Sequence, residues 1–160
     1  MKTLVRPKLE YRCSVWDPHQ KNKIEQLEKV QRRCARFMTG NYNMSHGNSQ
    51  KNLDLLNWPP LTTRRALTKL HLLHRAKSRS IELPLDDLVW EVEPPKTRNQ
   101  SSSLNFPIPH SNVDSHKHSF FPSTIRLWNN LPEHIKDTKP FPRFKSLLGK
   151  HTIRHTYYIH

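Results

Sequence analysis

The basic side chains on two helical stretches form the group of residues in this sequence that best matches a binding chemistry. Lysine and arginine neutralise the phosphates of a nucleic-acid backbone and release its counterions, and this binding chemistry needs no nucleophile or metal. Four candidates lie in the first stretch, and three lie in or just after the second. The predicted nucleic-acid-binding residues are Lys29, Arg32, Arg33, Arg36, Arg64, Arg75 and Arg79.

A solvated helix surface is the alternative for these cations, and the positions of the acids bear on it. Glutamates precede Lys29 and Arg32 by four residues, and pairs at that spacing stabilise a helix by only tenths of a kcal/mol. Arg33 and Arg36 are left uncompensated by those pairs. Residues 61–80 contain six bases and no acid, so the second cationic face has no partner within its own helix.

The other residue types that carry chemistry are not arranged for catalysis or metal binding. His110, His116 and His118 cluster in a polar stretch, whereas a zinc site needs about four nitrogen or sulfur ligands in fixed geometry. Cys13 and Cys34 lie far from these histidines in sequence, and the hydroxyl and thiol groups have no recognisable base arrangement. We expect no catalytic residue, no metal and no cofactor.

The overall composition points to a polyanionic partner. The net charge is +14 and the isoelectric point is about 10.2, which favours nucleic acid or an anionic membrane surface. A hydrophobic fraction of 34% and thirteen prolines indicate a modest core, whereas four tryptophans and six phenylalanines argue against wholesale disorder. We expect one domain, or one modest domain with irregular additions.

The cysteine content and the apolar runs bear on location. Two cysteines do not make a disulfide framework, which favours a reducing environment. No apolar run has the length of a signal peptide at the start, and none is long enough to span a bilayer. We expect an intracellular protein, nuclear or cytoplasmic, that is not secreted and has no membrane partner.

Two helices over about residues 24–38 and 62–78 position the cationic residues. Gly40 is the expected stop of the first helix, and Leu70 and Leu73 lie on the inner face of the second. We expect the apolar stripes of the two helices to pack together and to leave the arginines outward. The apolar stripe of the first helix comprises Ile24, Leu27, Val30, Cys34, Ala35, Phe37 and Met38.

The predicted core contains aromatic and aliphatic anchors at helix ends and inner faces. Its tryptophans could instead stack on bases, but their positions favour a core role. The predicted core residues are Trp16, Leu27, Phe37, Trp58, Leu70, Leu73, Phe121 and Trp128.

The chain divides by composition into four regions, and its fold class is predicted as mainly α. Residues 1–80 form a basic helical region, and residues 81–118 form an acidic stretch, with a short strand as one option, followed by a long irregular loop. Residues 119–149 form a C-terminal helical segment with Gly149 as its stop, and residues 150–160 form a frayed tail.

Four motifs, in this order, carry a resemblance to a known family. The chain resembles the region that follows the polymerase core in reverse transcriptases of non-LTR (LINE-type) retrotransposons, such as the jockey group. The motifs are RPKLEY with SVWDP, LEKVQRR with ARF, LNWP with a following Leu and Arg-Arg, and SFFPSTIRLWNNLP.

The resemblance implies that residues 1–80 are thumb-like helices and that the C-terminal segment helps to grip template and primer. It also implies RNA or an RNA–DNA hybrid as ligand and the polymerase core of a parent protein as partner. The family's paired catalytic aspartates follow an aromatic residue on a hairpin. The only adjacent pair here, Asp86-Asp87, follows Pro84-Leu85 and lies downstream of the thumb-like region, which is the wrong order and context.

Three alternatives remain beside nucleic-acid binding. The chain could be a protein–protein or structural module whose apolar stripes pack on a polymerase domain. It could be a residual enzyme that uses Asp86-Asp87, or a genomic remnant without a selected role.

Overall fold

The computed structural model describes residues 10–11, 13–43, 45, 47–81 and 104–154. The chain divides into two compact units, unit 1 (Met1–Arg65) and unit 2 (Ala66–His160). The described residues are mainly helical and contain no strand, so the prediction of a mainly α fold is confirmed. The helices are α1 Cys13–Trp16, α2 Lys21–Thr39, α3 Asn48–Leu55, α4 Leu61–Lys77, α5 Asp114–Lys117, α6 Phe120–Asn129, α7 Glu133–Lys136 and α8 Phe141–Arg154.

Helix α2 dominates unit 1 and ends where the sequence predicts. Gly40 has φ +64°, a left-handed conformation that glycine adopts without the steric cost of a Cβ atom. The chain then returns along α2 through α3, held by asparagine amides. Asn41 and Asn48 exchange amide hydrogen bonds of 3.1 and 3.0 Å, and Asn52 Nδ2 donates to the Asn41 carbonyl at 3.1 Å.

The buried face of α2 differs from the predicted apolar stripe. Its fully buried residues are Gln31 and Ala35, and Ala35 packs in a cluster with Leu53 and Trp58. Gln31 tolerates burial because its Nε2 donates to the Pro59 carbonyl at 3.0 Å. The helix is therefore rotated toward Gln31, and part of the predicted stripe is turned toward solvent.

The prediction of a core position is wrong for two aromatic residues of unit 1. Phe37 is 59% exposed, because the rotation of α2 places it away from Ala35 and Gln31. Trp16 is 40% exposed, because it lies at the end of the short α1 and covers an arginine rather than the apolar cluster. Leu27 is half-buried, and Trp58 is buried.

The start of α4 is capped by a side chain of α2. Pro60 precedes the helix and offers no capping side chain, so Glu28 Oε1 accepts the backbone N–H of Thr62 at 3.1 Å. Burial raises the pKa of the Glu28 carboxyl, and the backbone N–H groups of Thr62 and Leu61 oppose that rise. A carboxylate at this end also complements the helix dipole.

The predicted inner face of the second helix packs in unit 2. Leu70 and Leu73 join a buried cluster with residues of α6 and α8, and the packing of the two apolar stripes against each other stays a prediction. Trp128 is at the centre of this cluster, and Phe121 is half-buried at its edge. The buried members are Leu70, Leu73, Ala76, Phe106, Ile125, Trp128, Leu131, Ile135, Phe144 and Leu148.

Two boundaries of the C-terminal half also differ from prediction. Gly149 does not end the last helix, because α8 continues to Arg154 and thus enters the segment that was predicted as a frayed tail. The predicted irregular loop contains a core residue, since Phe106 is buried and its N–H donates to Asn129 Oδ1 at 3.0 Å. The acidic stretch, with its optional strand, and residues 94–103 lie outside the described residues.

Acid is expected to destabilise unit 2 through two histidines in its core. His74 stacks on Phe144, with ring centroids 4.1 Å apart, and His71 lies edge-on to the same ring. Burial lowers the pKa of both from the ordinary value of 6.5, and the positive charges of Lys145 and Lys77 act in the same direction. The Thr138 carbonyl, 2.7 Å from His74 Nε2, partly opposes the shift at His74. Below about pH 6.5 the unfolded chain therefore takes up protons that the folded chain does not, and stability falls with pH until the folded pKa values are passed.

Thermal melts followed by circular dichroism between neutral and mildly acidic pH measure this effect. The variant His74→Phe should lose part of the pH dependence, whereas the exposed His110→Gln variant should retain all of it. A melting temperature that stays constant, or rises, on acidification below pH 6.5 would contradict the expected sign.

Candidate nucleic-acid interface

Helix α2 carries the largest group of the predicted binding residues. Lys29 and Arg33 are exposed, and Arg36 is half-buried. Arg32 is half-buried and forms an ion pair with Glu25, so part of its charge is already compensated. Four of the predicted binding residues thus lie on one helix, and two of them are exposed to solvent.

The local charge around this face is one-sided. Between Glu28 and Asp54 the sequence contains five bases and no acid. Both glutamates of α2 lie in its N-terminal half, where Glu25 pairs with Arg32 and Glu28 caps α4. The C-terminal half of α2 therefore contains cations and no acid, and of these cations Arg33 is exposed, whereas Arg32 pairs with Glu25.

Arg64 is corrected from a phosphate contact to a buried structural residue. It lies in the first turn of α4 and is buried. Its guanidinium forms an ion pair with Glu10, and its Nη1 donates to Gln31 Oε1 at 3.4 Å. A buried cation needs such partners because desolvation penalises an isolated charge. Arg64 therefore cannot reach a phosphate without giving up these contacts.

Arg65 was missed as a structural residue and is the most buried of the described cations of unit 1. It is 1% exposed, and its Nη1 lies 3.4 Å from Asp17 Oδ1. Its Cζ lies 5.0 Å from the ring centroid of Trp16, so the exposed indole covers a guanidinium. The signal in the sequence was the Arg-Arg dipeptide. It lies in the first turns of α4, where residues 61, 63 and 66 are all buried.

The two remaining predicted binding residues, Arg75 and Arg79, belong to unit 2 and are exposed. Arg75 lies in the last turn of α4, with its Cζ 5.9 Å from the ring centroid of Phe141. Arg79 follows the helix and has φ +52°, a left-handed conformation that costs energy for a residue with a Cβ atom. Unit 2 therefore contributes two of the seven predicted binding residues, beside other exposed cations such as Lys117 and Lys145.

Other cations of unit 2 hold its structure together. Lys136 is buried, and its Nζ donates to Asn105 Oδ1 and to the Asn129 carbonyl, both at 2.7 Å. Burial lowers the pKa of this amine. Lys77 Nζ lies 5.1 Å from the ring centroid of Trp128, and burial lowers its pKa as well. Lys136 therefore supports the core and the 104–110 segment and is not presented to a ligand, whereas Lys77 lies beside a core ring and is exposed.

The described residues contain no group of three histidine, cysteine or acidic side chains placed to hold a metal ion. Within the predicted histidine cluster, His116 Nδ1 lies 2.8 Å from the Oγ of Ser111, which is five residues earlier in the chain. Cys13 and Cys34 are both free thiols. Asp86-Asp87 and Trp90 lie outside the described residues.

Comparisons of the chain with protein-family models, with curated proteins and with solved structures give no match. Among the described residues, no helix combines the length and apolarity that crossing a bilayer requires. The surface charge and the exposed side chains of each unit are therefore the features that bear on function.

Proposed function

We propose that this chain binds nucleic acid mainly through the phosphate backbone, with little dependence on sequence. Lys29, Arg33 and Arg36 of α2 form the main contact, and Arg75 and Arg79 of unit 2 form a second one. The ligand is RNA or an RNA–DNA hybrid, as the resemblance to non-LTR reverse transcriptases suggests. In a protein of that kind, the chain would hold template and primer beside the polymerase core and would take no part in the chemical step.

The observation that carries this proposal is the acid-free cationic half of α2. Lys29 and Arg33 are exposed, and the sequence between Glu28 and Asp54 contains five bases and no acid. Surface cations of this kind attract phosphates and gain affinity from the counterions that a polyanion releases. The net charge of +14 adds a long-range attraction of the same sign.

A salt titration with charge variants tests this proposal. The three phosphate contacts of α2 predict that log K falls with log salt with a slope of about −2.7 on a duplex, or about 40-fold between about 50 and 200 mM salt. The triple variant Lys29→Gln/Arg33→Gln/Arg36→Gln should flatten that slope by about 2.7. Fluorescence anisotropy of a labelled RNA–DNA hybrid is the measurement.

The matched control removes three charges elsewhere. Lys117, Lys139 and Lys145 are exposed lysines of unit 2 outside the proposed contact, and their change to Gln should leave the slope nearly intact. Equal loss in both triple variants would show that only net charge matters and would reject the α2 contact. Binding that is indifferent to salt would reject the electrostatic mechanism.

A protein-packing function is the second candidate, favoured by exposed apolar side chains of unit 1. Leu55, at the end of α3, is 73% exposed, and Val30 of α2 is also exposed. In a parent reverse transcriptase these side chains would pack on the polymerase core. This candidate predicts a chain that melts without cooperativity on its own, whereas a self-sufficient binding module melts in one cooperative transition.

A further inference from the structure

A row of three exposed side chains runs along α2 in steps of four residues. Lys29, Arg33 and Phe37 occupy this row, and each step advances about 6 Å along the helix axis. The row therefore places two cations in line with one aromatic ring on the same ridge of the helix. The ring is 59% exposed.

A second exposed aromatic side chain follows the helix directly. Gly40 ends α2 with a left-handed turn, and Tyr42 lies two residues later with 61% of its surface exposed. No acidic residue lies in the sequence between Glu28 and Asp54, so both aromatic residues are in a segment whose charges are all positive. Exposed rings interleaved with cations are the arrangement by which proteins bind single-stranded nucleic acid.

We infer that the C-terminal half of α2 binds unpaired nucleotides, with a base stacked on Phe37 and adjacent phosphates on Arg33 and Lys29. Tyr42 offers a second ring for a neighbouring base. The inference rests on the proposed function and narrows its ligand to a single-stranded segment, such as an unpaired template or a strand end. A continuous duplex cannot use these rings, because its bases already stack on each other.

The charges along the row favour a nucleotide over an apolar protein segment as the occupant. An apolar helix docked on Phe37 would cover or desolvate Arg33, four residues away, without supplying a negative charge. A nucleotide supplies both an aromatic face for the ring and a phosphate for the guanidinium. One ligand thus accounts for both exposed features of the row.

Phe37 variants test the stacking role in the full chain, because the side chain is exposed and its replacement does not empty the core. Phe37→Leu keeps an apolar side chain but removes the ring, and Phe37→Trp keeps a ring. Anisotropy with a labelled single-stranded RNA should show binding about five- to 150-fold weaker for Phe37→Leu and near wild type for Phe37→Trp. Val30→Ala is the matched control on the same helix and should bind as wild type does.

A blunt duplex of the same sequence separates this inference from the proposed function. The duplex should bind more weakly than the single strand and with equal affinity to wild type and to Phe37→Leu. If both ligands bind equally and Phe37→Leu changes neither, the stacking inference is overturned while backbone binding stands. If neither ligand binds at low salt, the proposed function itself fails. If the wild-type chain self-associates, and if both Phe37→Leu and Val30→Ala lose that self-association with RNA affinity unchanged, the row is instead a protein-docking face.

Discussion

Replacement of Trp128 by alanine is expected to lower the free energy of unfolding of unit 2 by about 4 kcal/mol. Trp128 is fully buried, and its ring lies 5.7 Å from Phe106 and 5.8 Å from Phe144, measured between centroids. Its Nε1 also donates to the Leu104 carbonyl at 3.0 Å. The substitution removes the largest fully buried side chain of the described residues together with its hydrogen bond to that carbonyl.

A loss of this size is a large part of the stability of a small domain. Thermal melts should show a midpoint lower by about 15 °C or more in the transition of unit 2. Trp128→Phe keeps most of the volume and should cost clearly less. Trp16→Ala, a change to an indole that is 40% exposed, should cost clearly less than Trp128→Ala. Equal losses at the two tryptophans would contradict the burial described for each.

Asp17→Ala is expected to destabilise unit 1 by about 3 kcal/mol, although Asp17 itself is partly exposed. The carboxylate lies 3.4 Å from the guanidinium of Arg65, which is 1% exposed. Removal of a partner from a buried cation costs about 3–5 kcal/mol, and the partial exposure of the Asp17 side chain places the effect at the lower end. Chemical denaturation monitored by tryptophan fluorescence measures this loss.

The double variant Asp17→Ala/Arg65→Met provides the decisive control. Methionine fills much of the arginine volume without a charge to solvate, so the double variant should recover most of the stability that Asp17→Ala loses. A cost below about 1 kcal/mol for Asp17→Ala would mean that the pair behaves as an exposed surface ion pair. A double variant that is less stable than the single one would show that Arg65 is needed for more than its charge.

The positions of the helices could be predicted from the sequence, because hydrophobic spacing and breakers act locally. The period of apolar residues predicts α2 and α4 within a few residues, and Gly40 ends α2 as expected. Gly149 has the same residue type but lies within α8, since glycine permits a left-handed turn without requiring one. The local signal therefore predicts that a helix exists better than where it ends.

The orientation of α2 could not be predicted, because it depends on a hydrogen bond formed across the fold. Gln31 is polar and reads as a surface residue, but the Pro59 carbonyl, 28 residues later, accepts its amide and allows it to be buried. That contact turns Phe37 outward. The pattern of apolar residues along a helix does not show which side of the apolar stripe will be buried.

The candidate site was predictable only in part for the same reason. Lys29 and Arg33 share a face of one helix, and spacing alone predicts their exposure. Arg64 has no acid within its helix, yet Glu10, 54 residues earlier, pairs with it. Partners so distant in sequence decide whether a cation is structural or available, and spacing within one helix carries no information about them.

The cap on α4 has a consequence for the order in which unit 1 forms. The acceptor for the Thr62 N–H is supplied by Glu28, 34 residues earlier in the chain. The first turn of α4 therefore gains its cap only after α2 has docked, since Pro60 cannot replace it locally. Formation of α4 at this end thus depends on a contact between residues that are distant in sequence. The protection of the amides in that turn against hydrogen exchange should rise and fall together with the protection of the amides of α2.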